Sequence, residues 1–145
     1  MKISIVLPAK NEALSVGLTV RRIRECMPDA EIIVVNDGST DDTAQIAEQA
    51  SASVVSHPYS KGNGAAIKTG ARAAGGDIIV FMDADGQHDP ADISRLLEKM
   101  EQGNDLVVGA RQKGSQASLG RGLANGLYNS CLLYTSDAAD EMRTV

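Results

Sequence analysis

Aromatic residues are scarce: one Phe, three Tyr and no Trp in 145 residues, 3% of the chain. A core of this composition has to be aliphatic. Long hydrophobic runs are missing too. No stretch approaches the roughly 18–20 apolar residues of a membrane-spanning helix. The opening "MKISIVLPAKNE" has one Lys and an apolar run too short for a secretory signal. The two cysteines, Cys26 and Cys131, lie far apart and form no metal or redox motif, so a reducing cytoplasm is the expected compartment. Positive charge does not dominate. The net charge of −5 argues against a general nucleic-acid binder. There is no internal repeat and no low-complexity tract. What remains, 43% hydrophobic and 23% charged, is ordinary for one globular domain with one core.

Residues 3–7 are a short apolar run and predict a strand. Ala13, Val16, Val20, Ile23 and Met27 recur at spacings of three and four, one face of a helix that Pro28-Asp29 ends. A second apolar run covers 32–35. "NDGSTDDT" then leads into a helix over 43–50, with Ser39, Thr40 and Asp41 as candidate caps. Val54-Val55 is a weak third strand. "SKGNGAAIKTGARAAGG" reads as a glycine-rich loop and an Ala-rich helix ending at Gly75-Gly76. The run 78–82 predicts a fourth strand. Asp89 and Pro90 suit the start of a helix whose apolar face is Ile93, Leu96, Leu97 and Met100. Residues 106–108 make a fifth strand. Strands alternating with helices imply an α/β fold: an open, mainly parallel sheet with helices on both faces. Continuous rather than alternating apolar runs fit strands covered on both sides.

Ligands of such sheets bind beyond the carboxyl ends of the strands. "PAKNE", "NDGSTDD" and "DADGQHD" fall there and bring Glu12, Asp37, Asp83, Asp85 and Gln87 to one rim. Crowded carboxylates are tolerated when a divalent cation sits between them. Asp83, Asp85 and Gln87 offer hard oxygen ligands at alternate positions, which suits Mg²⁺ or Mn²⁺ and leaves coordination positions open for phosphate oxygens. The plainer alternative is an acidic helix-entry loop, the role preferred for Asp89. An EF-hand does not fit, because His88 and Ser94 stand where Gly and Glu are required. "GNGAAIKT" is nearly a P-loop, but Ile67 replaces its second glycine, and a β-branched residue tolerates that backbone poorly. Lys61 beside Gly62 and Gly64 is a candidate phosphate neighbour. Residues 106–136 hold no acid but include Arg111, Lys113 and Arg121, a stretch suited to an anionic substrate or membrane surface as well as to a plain basic loop.

The end of the chain differs in style. "CLLYTSDAADE", residues 131–141, follows an incomplete helical pattern and leads to no expected strand. It resembles, residue by residue, the in-frame translation of a transposon-end sequencing adapter. Residues 131–145 are therefore expected to be a read-through tail outside the fold.

"SIVLPAKNEA", "IIVVNDGSTDDT", "KGNGAAIKTGARAAGGDIIVFMDADGQHDP" and "DLVVGAR" together resemble the family-two glycosyltransferases of GT-A fold. "DADGQHDP" is most similar to the form in the dolichol-phosphate mannose synthases and their bacterial polyprenyl-phosphate relatives. The resemblance covers residues 2–130 and implies that they are the nucleotide-sugar-binding part of such a domain, Rossmann-like and incomplete. It implies that Pro8, Lys10, Glu12, Val35 and Asp37 hold base and ribose, with Lys10 where the family often has an aromatic. Asp83, Asp85 and Gln87 would bind Mg²⁺ or Mn²⁺ on the diphosphate, and Ala84 would lie against the nucleotide. Arg111 would approach the phosphates and, with Asp85, serve catalysis. The implied reaction is inverting transfer from a UDP- or GDP-sugar to a polyprenyl phosphate, at the inner face of a membrane. Segments that normally complete the family's acceptor site are not in these residues, so the chain as given is expected to be inactive. Two other readings stand beside this one. One is a nucleotide-binding module without turnover. The other is a haloacid-dehalogenase-type phosphohydrolase with Asp83 as nucleophile and Asp85 as acid/base, although Gln87 stands where that group has Thr.

Overall fold

A computed structural model describes residues 1–110 and the backbone of 131–135. Its elements alternate: β1 (Ile3–Ala9), α1 (Val16–Cys26), β2 (Glu31–Asp37), α2 (Thr43–Gln49), β3 (Ser53–His57), α3 (Asn63–Ala73), β4 (Ile78–Phe81), α4 (Asp92–Glu101), β5 (Leu106–Gly109) and β6 (Cys131–Thr135). They build one sheet in the order β3-β2-β1-β4-β6-β5. The first four positions are parallel; β6 runs antiparallel to both β4 and β5.

The expected α/β class is met, and the unbroken apolar runs are explained by two covered faces. Ile5, Leu7, Ile32, Val34, Val80 and Met82 pack with Val16, Val20 and Ile23 of α1, Ala47 of α2 and Ile93 of α4. The alternate residues Val6, Ile33, Val35, Ile79 and Phe81 pack with Ala66 and Ala71 of α3 and with Ala74 just past its end. Small residues let α3 lie close to the strands. A Cβ on Gly70 would come 2.2 Å from Val6 Cγ1.

One element departs from the sequence reading, which expects no strand after residue 130. Cys131–Thr135 pairs on both sides, in register from Ile78↔Thr135 to Phe81↔Leu132 and from Leu106↔Tyr134 to Gly109↔Cys131. An apolar pentapeptide, "CLLYT", suits the open edge of β4 by composition alone, so the pairing is blind to the origin of these residues. Arg111, Lys113 and Arg121 lie outside the described residues. Among the described residues, no helix is long and apolar enough to cross a membrane.

Ala at a helix interior ordinarily outperforms Gly by about 0.5–1 kcal/mol. At Gly70 we expect the reverse, a loss of about 1–3 kcal/mol from overpacking against Val6. Urea unfolding of Gly70→Ala checks the sign. Adding Val6→Ala should restore part of the loss, and a more stable Gly70→Ala would refute the close approach.

Candidate functional site

The strand order reverses at β1, which has β2 on one side and β4 on the other, and a crevice opens at such a switch point. Pairing of β1 with β4 stops at Val6↔Phe81, while pairing with β2 continues to Ala9↔Asn36. The Met82 amide still donates to Val6 O at 3.1 Å. Two residues on, Pro8 faces the same side with no N–H to give, so one of the bonds that would continue the ladder cannot form. The space left is a cleft of about 360 Å³. Its walls are Pro8, Ala9, Lys10 and Glu12 after β1, Asp37 closing β2, Ser60, Gly62, Asn63 and Ala66 around the start of α3, and Asp83, Ala84 and Asp85 after β4.

The first wall is stitched to the loop after β2. Asn11, in the left-handed region at φ 53°, donates its amide to Ser39 Oγ (2.9 Å), and its Oδ1 accepts the Thr40 amide (2.8 Å). The Glu12 amide donates to Thr43 Oγ1 (2.9 Å) and the Ala13 amide to Asp41 Oδ2 (3.2 Å). Asp41 also accepts the amide and hydroxyl of Thr43 in the turn before α2, whose N-cap is Asp42 and not one of the candidates Ser39, Thr40 or Asp41. These contacts, the Thr43 hydroxyl foremost, hold the Asp41 carboxyl below the usual range.

The second wall turns on Asp37, only 5% exposed. Its Oδ1 accepts from His57 Nδ1 (2.7 Å) and the Lys61 amide (2.8 Å); its Oδ2 accepts from Ser60 Oγ (3.0 Å) and the Gly62 amide (3.0 Å). A carboxylate has about four acceptor sites, so the chain itself fills them. Since the carboxylate only accepts, His57 Nδ1 donates to it, and Nε2 of the same ring lies 2.8 Å from Thr69 Oγ1. Burial pushes the Asp37 carboxyl up, but the His57, Lys61, Ser60 and Gly62 donors outweigh it and hold the group at about 2. Gly38, at φ 66°, admits the close passage of this loop: a Cβ there would lie 2.4 Å from Ser60 N.

The third wall is the acidic loop. Asp85 Oδ1 accepts the Gln87 amide (2.9 Å), closing a turn that Gly86 completes at φ 79°. The Asp83 amide donates to His88 Nδ1 (3.3 Å), whose Nε2 lies 4.0 Å from Asp83 Oδ2, too far for a hydrogen bond. Asp89 Oδ1 accepts the Ala91 amide (3.0 Å), in keeping with a helix-entry role. Among the described residues, no three His, Cys, Asp or Glu side chains lie close enough to hold a cation by themselves. Asp83 and Asp85 both line the cleft, and a cation held there would need further oxygens from neutral groups or from a ligand. With Glu12 and Asp37 they make the cleft acidic, against Lys10 and the positive N-terminal end of α3.

Of the residues singled out in the sequence, Pro8, Lys10, Glu12, Asp37, Asp83, Ala84 and Asp85 meet in the cleft. Val35 does not reach it; its side chain is fully buried beneath α3. Lys61 contributes its amide to Asp37, while its ammonium sits 5.4 Å from the centre of the Tyr59 ring. Gln87 is exposed beside Asp85. Arg111 is outside the described residues. Sequence reasoning missed Ser60, Asn63 and Ala66, which line the cleft, and His57, which holds Asp37. The only signal for His57 is a polar residue closing the short strand run around Val54-Val55.

Residues 4–139 match the family described as Glycosyl transferase family 2. An undecaprenyl-phosphate mannosyltransferase of Micrococcus luteus is 37% identical over 120 residues, 77% of this chain and 49% of that protein. An undecaprenyl-phosphate 4-deoxy-4-formamido-L-arabinose transferase of Photorhabdus laumondii is 36% identical over 141 residues, 90% of this chain and 43% of that protein. Glucosyl-3-phosphoglycerate synthase of Mycobacterium tuberculosis, solved with Mn²⁺, UDP and glucosyl-3-phosphoglycerate, superimposes with a TM-score of 0.75 at 28% identity, covering 94% of this chain and 57% of that one. The chain thus spans under half the length of the two transferases and somewhat more of the synthase.

The depressed Asp37 carboxyl makes a pH-dependent contribution to stability. A group lowered from 3.8 to about 2 stabilises the fold above about pH 4 and loses that contribution as pH falls towards 2. Asp37→Asn should therefore cost on the order of 2 kcal/mol at neutral pH. The gap to the parent protein should narrow steadily between pH 4 and pH 2. Urea unfolding across that range reads it, and a gap independent of pH would contradict the assignment.

Proposed function

The chain belongs to glycosyltransferase family 2, and from that premise we propose that its cleft takes the nucleoside diphosphate of a sugar donor together with one divalent cation. The observation that carries this reading is the meeting of Asp83, Ala84 and Asp85 with Pro8, Lys10, Glu12 and Asp37 around one cleft of about 360 Å³. Mn²⁺ with UDP in the mycobacterial synthase supports a metal-assisted donor site here, with Mg²⁺ or Mn²⁺ as the ion and UDP or GDP as the carrier.

Asp83 and Asp85 would hold the ion, with Gln87 as a neutral oxygen ligand. Bound there, it supplies positive charge against the diphosphate as that group leaves. Glu12 faces the cleft with a carboxylate that accepts hydrogen bonds from ribose hydroxyls or base N–H groups. Asp37 acts on the same end of the ligand by fixing the Ser60–Gly62 loop. Ala84 forms the floor between the two carboxylates, and Lys10 offsets some of the acidity. Arg111 is assigned to the phosphates by family resemblance.

The acceptor in this reading is a polyprenyl phosphate, as the names of the two transferases suggest. Its phosphate is already ionised, so attack at the anomeric carbon, with inversion, needs little general-base help. The protein would work at the cytoplasmic face of a membrane. In the same reading the native segment ends at residue 130, with 131–145 a read-through tail. The acceptor-binding part lies elsewhere in the whole protein, and these 145 residues bind donor without completing transfer.

Metal and nucleotide should bind with positive, reciprocal coupling, about 5–150-fold in affinity, because two carboxylates leave an octahedral ion unsaturated and the diphosphate completes it. Calorimetric titration of UDP and of GDP, with Mn²⁺ and with EDTA, measures the coupling. Asp85→Asn should reduce it while leaving the unfolding midpoint nearly unchanged. Equal nucleotide affinity with and without metal would leave "DADGQHDP" as a helix-entry loop and end this reading.

A further inference from the structure

Ser15 stands at the N-cap position of α1, where a serine hydroxyl ordinarily accepts from a first-turn amide. It makes no such bond. Instead its hydroxyl reaches out of the helix, 2.8 Å from the carbonyl oxygen of Ala84 and 3.1 Å from Glu12 Oε2. One turn on, Thr19 Oγ1 lies 2.9 Å from Ser15 O and 3.5 Å from the same Ala84 oxygen. Ala84 is the residue between the two carboxylates of the acidic loop, and it is 1% exposed, so water has little access to replace a lost donor.

The count of protons is the informative point. A hydroxyl has one hydrogen to donate. Ser15 and Thr19 therefore bring two protons to three acceptors: Glu12 Oε2, Ala84 O and Ser15 O. Thr19 Oγ1 lies closer to Ser15 O (2.9 Å) than to Ala84 O (3.5 Å), so its proton stays mainly within the helix and the competition is between Glu12 and Ala84 for the Ser15 proton. Glu12 lines the cleft. A ligand that donates to Glu12 meets that carboxylate's need and leaves the Ser15 proton to Ala84.

We propose that Ser15 and Thr19 are positioning residues that couple occupation of Glu12 by the nucleoside to the set of the Asp83–Ala84–Asp85 loop. The inference rests on the donor-site reading above and adds a second route of coupling to it. The diphosphate couples to the cation directly by sharing oxygens. The nucleoside couples to it through Glu12, Ser15 and the Ala84 peptide. By linkage, a cation that orders the acidic loop favours the nucleoside by the same factor.

The two routes separate experimentally, because pyrophosphate supplies the shared oxygens without a group for Glu12. Binding of UDP and of pyrophosphate to the full chain is measured by calorimetry with and without Mn²⁺. We expect Ser15→Ala to lower the UDP–Mn²⁺ coupling about five- to tenfold, the scale of one hydrogen bond to a buried carbonyl, and to leave the pyrophosphate–Mn²⁺ coupling unchanged. Ser15→Thr, which keeps the hydroxyl, should restore the parent value. If Ser15→Ala does not fold, Thr19→Val carries the test with the same pattern at smaller amplitude. Unchanged UDP coupling in Ser15→Ala, or an equal loss with both ligands, overturns the relay while the donor site stands. Absence of coupling in the parent protein overturns the donor site, and the relay with it.

Discussion

Mutual repulsion among Glu12, Asp37, Asp83 and Asp85 is the constraint around which the rim of this sheet is organised. Each carboxylate meets it differently. Asp37 is buried and surrounded by four donors from its own chain, which keep it ionised at about pKa 2. Its charge is taken up in holding a loop. Glu12 shares one hydroxyl proton with a backbone carbonyl. Asp85 receives the Gln87 amide, and Asp83 remains partly open towards the cleft. Exposure thus rises from the β2 side, where Asp37 is buried, to the β4 side, where Asp83 and Asp85 are half-buried. A cation would be favoured at the more open carboxylates of the acidic loop over Asp37, whose acceptor sites its own chain already fills.

The two sides also differ in how firmly they are built. Asn11, Glu12 and Ala13 are tied by backbone amides or side chains to residues 39–43, and residues 60–62 are tied to Asp37. Such bonds bridge loops that follow different strands, so the wall they form is preorganised before any ligand arrives. The loop over 83–89 carries bonds of its own, Asp83 to His88 and Asp85 to Gln87, and reaches α1 through the Ala84 carbonyl.

Much of this was legible in the sequence because it is periodic or local. Apolar runs marked β1, β2 and β4, the three-and-four spacing marked α1, and polar segments after three strands marked the rim. The parallel order followed from alternation alone. What escaped detection depends on partners far apart in the chain. The His57–Asp37 bond spans 20 residues and Ser15–Ala84 spans 69, and no window of sequence holds both members. Val35, named through family resemblance alone, shares the Asp37 face of β2 by the two-residue period, but it is packed under α3, and only Asp37 at the strand end reaches the cleft. The strand β6 was missed because its five residues carry no flanking pattern, and a pairing partner is visible only once the edge of β4 exists.

The position of Pro8 joins the sheet to the site. Parallel strands resist an open gap, because unpaired amides at a strand end cost free energy unless water or another partner meets them. A proline at the point where β4 stops removes the donor that would otherwise face the gap, so the ladder ends there without an orphaned N–H. The β1–β4 pairing then ends three residues earlier along β1 than the β1–β2 pairing, and the loop after β4 can turn away with Asp83 and Asp85 at its start. The cleft is therefore a property of strand length and one missing hydrogen, set before any catalytic side chain is considered. The carboxylates could be exchanged with the cleft kept, whereas a residue at position 8 that donated to the β4 side would favour extending the ladder into the space a ligand needs.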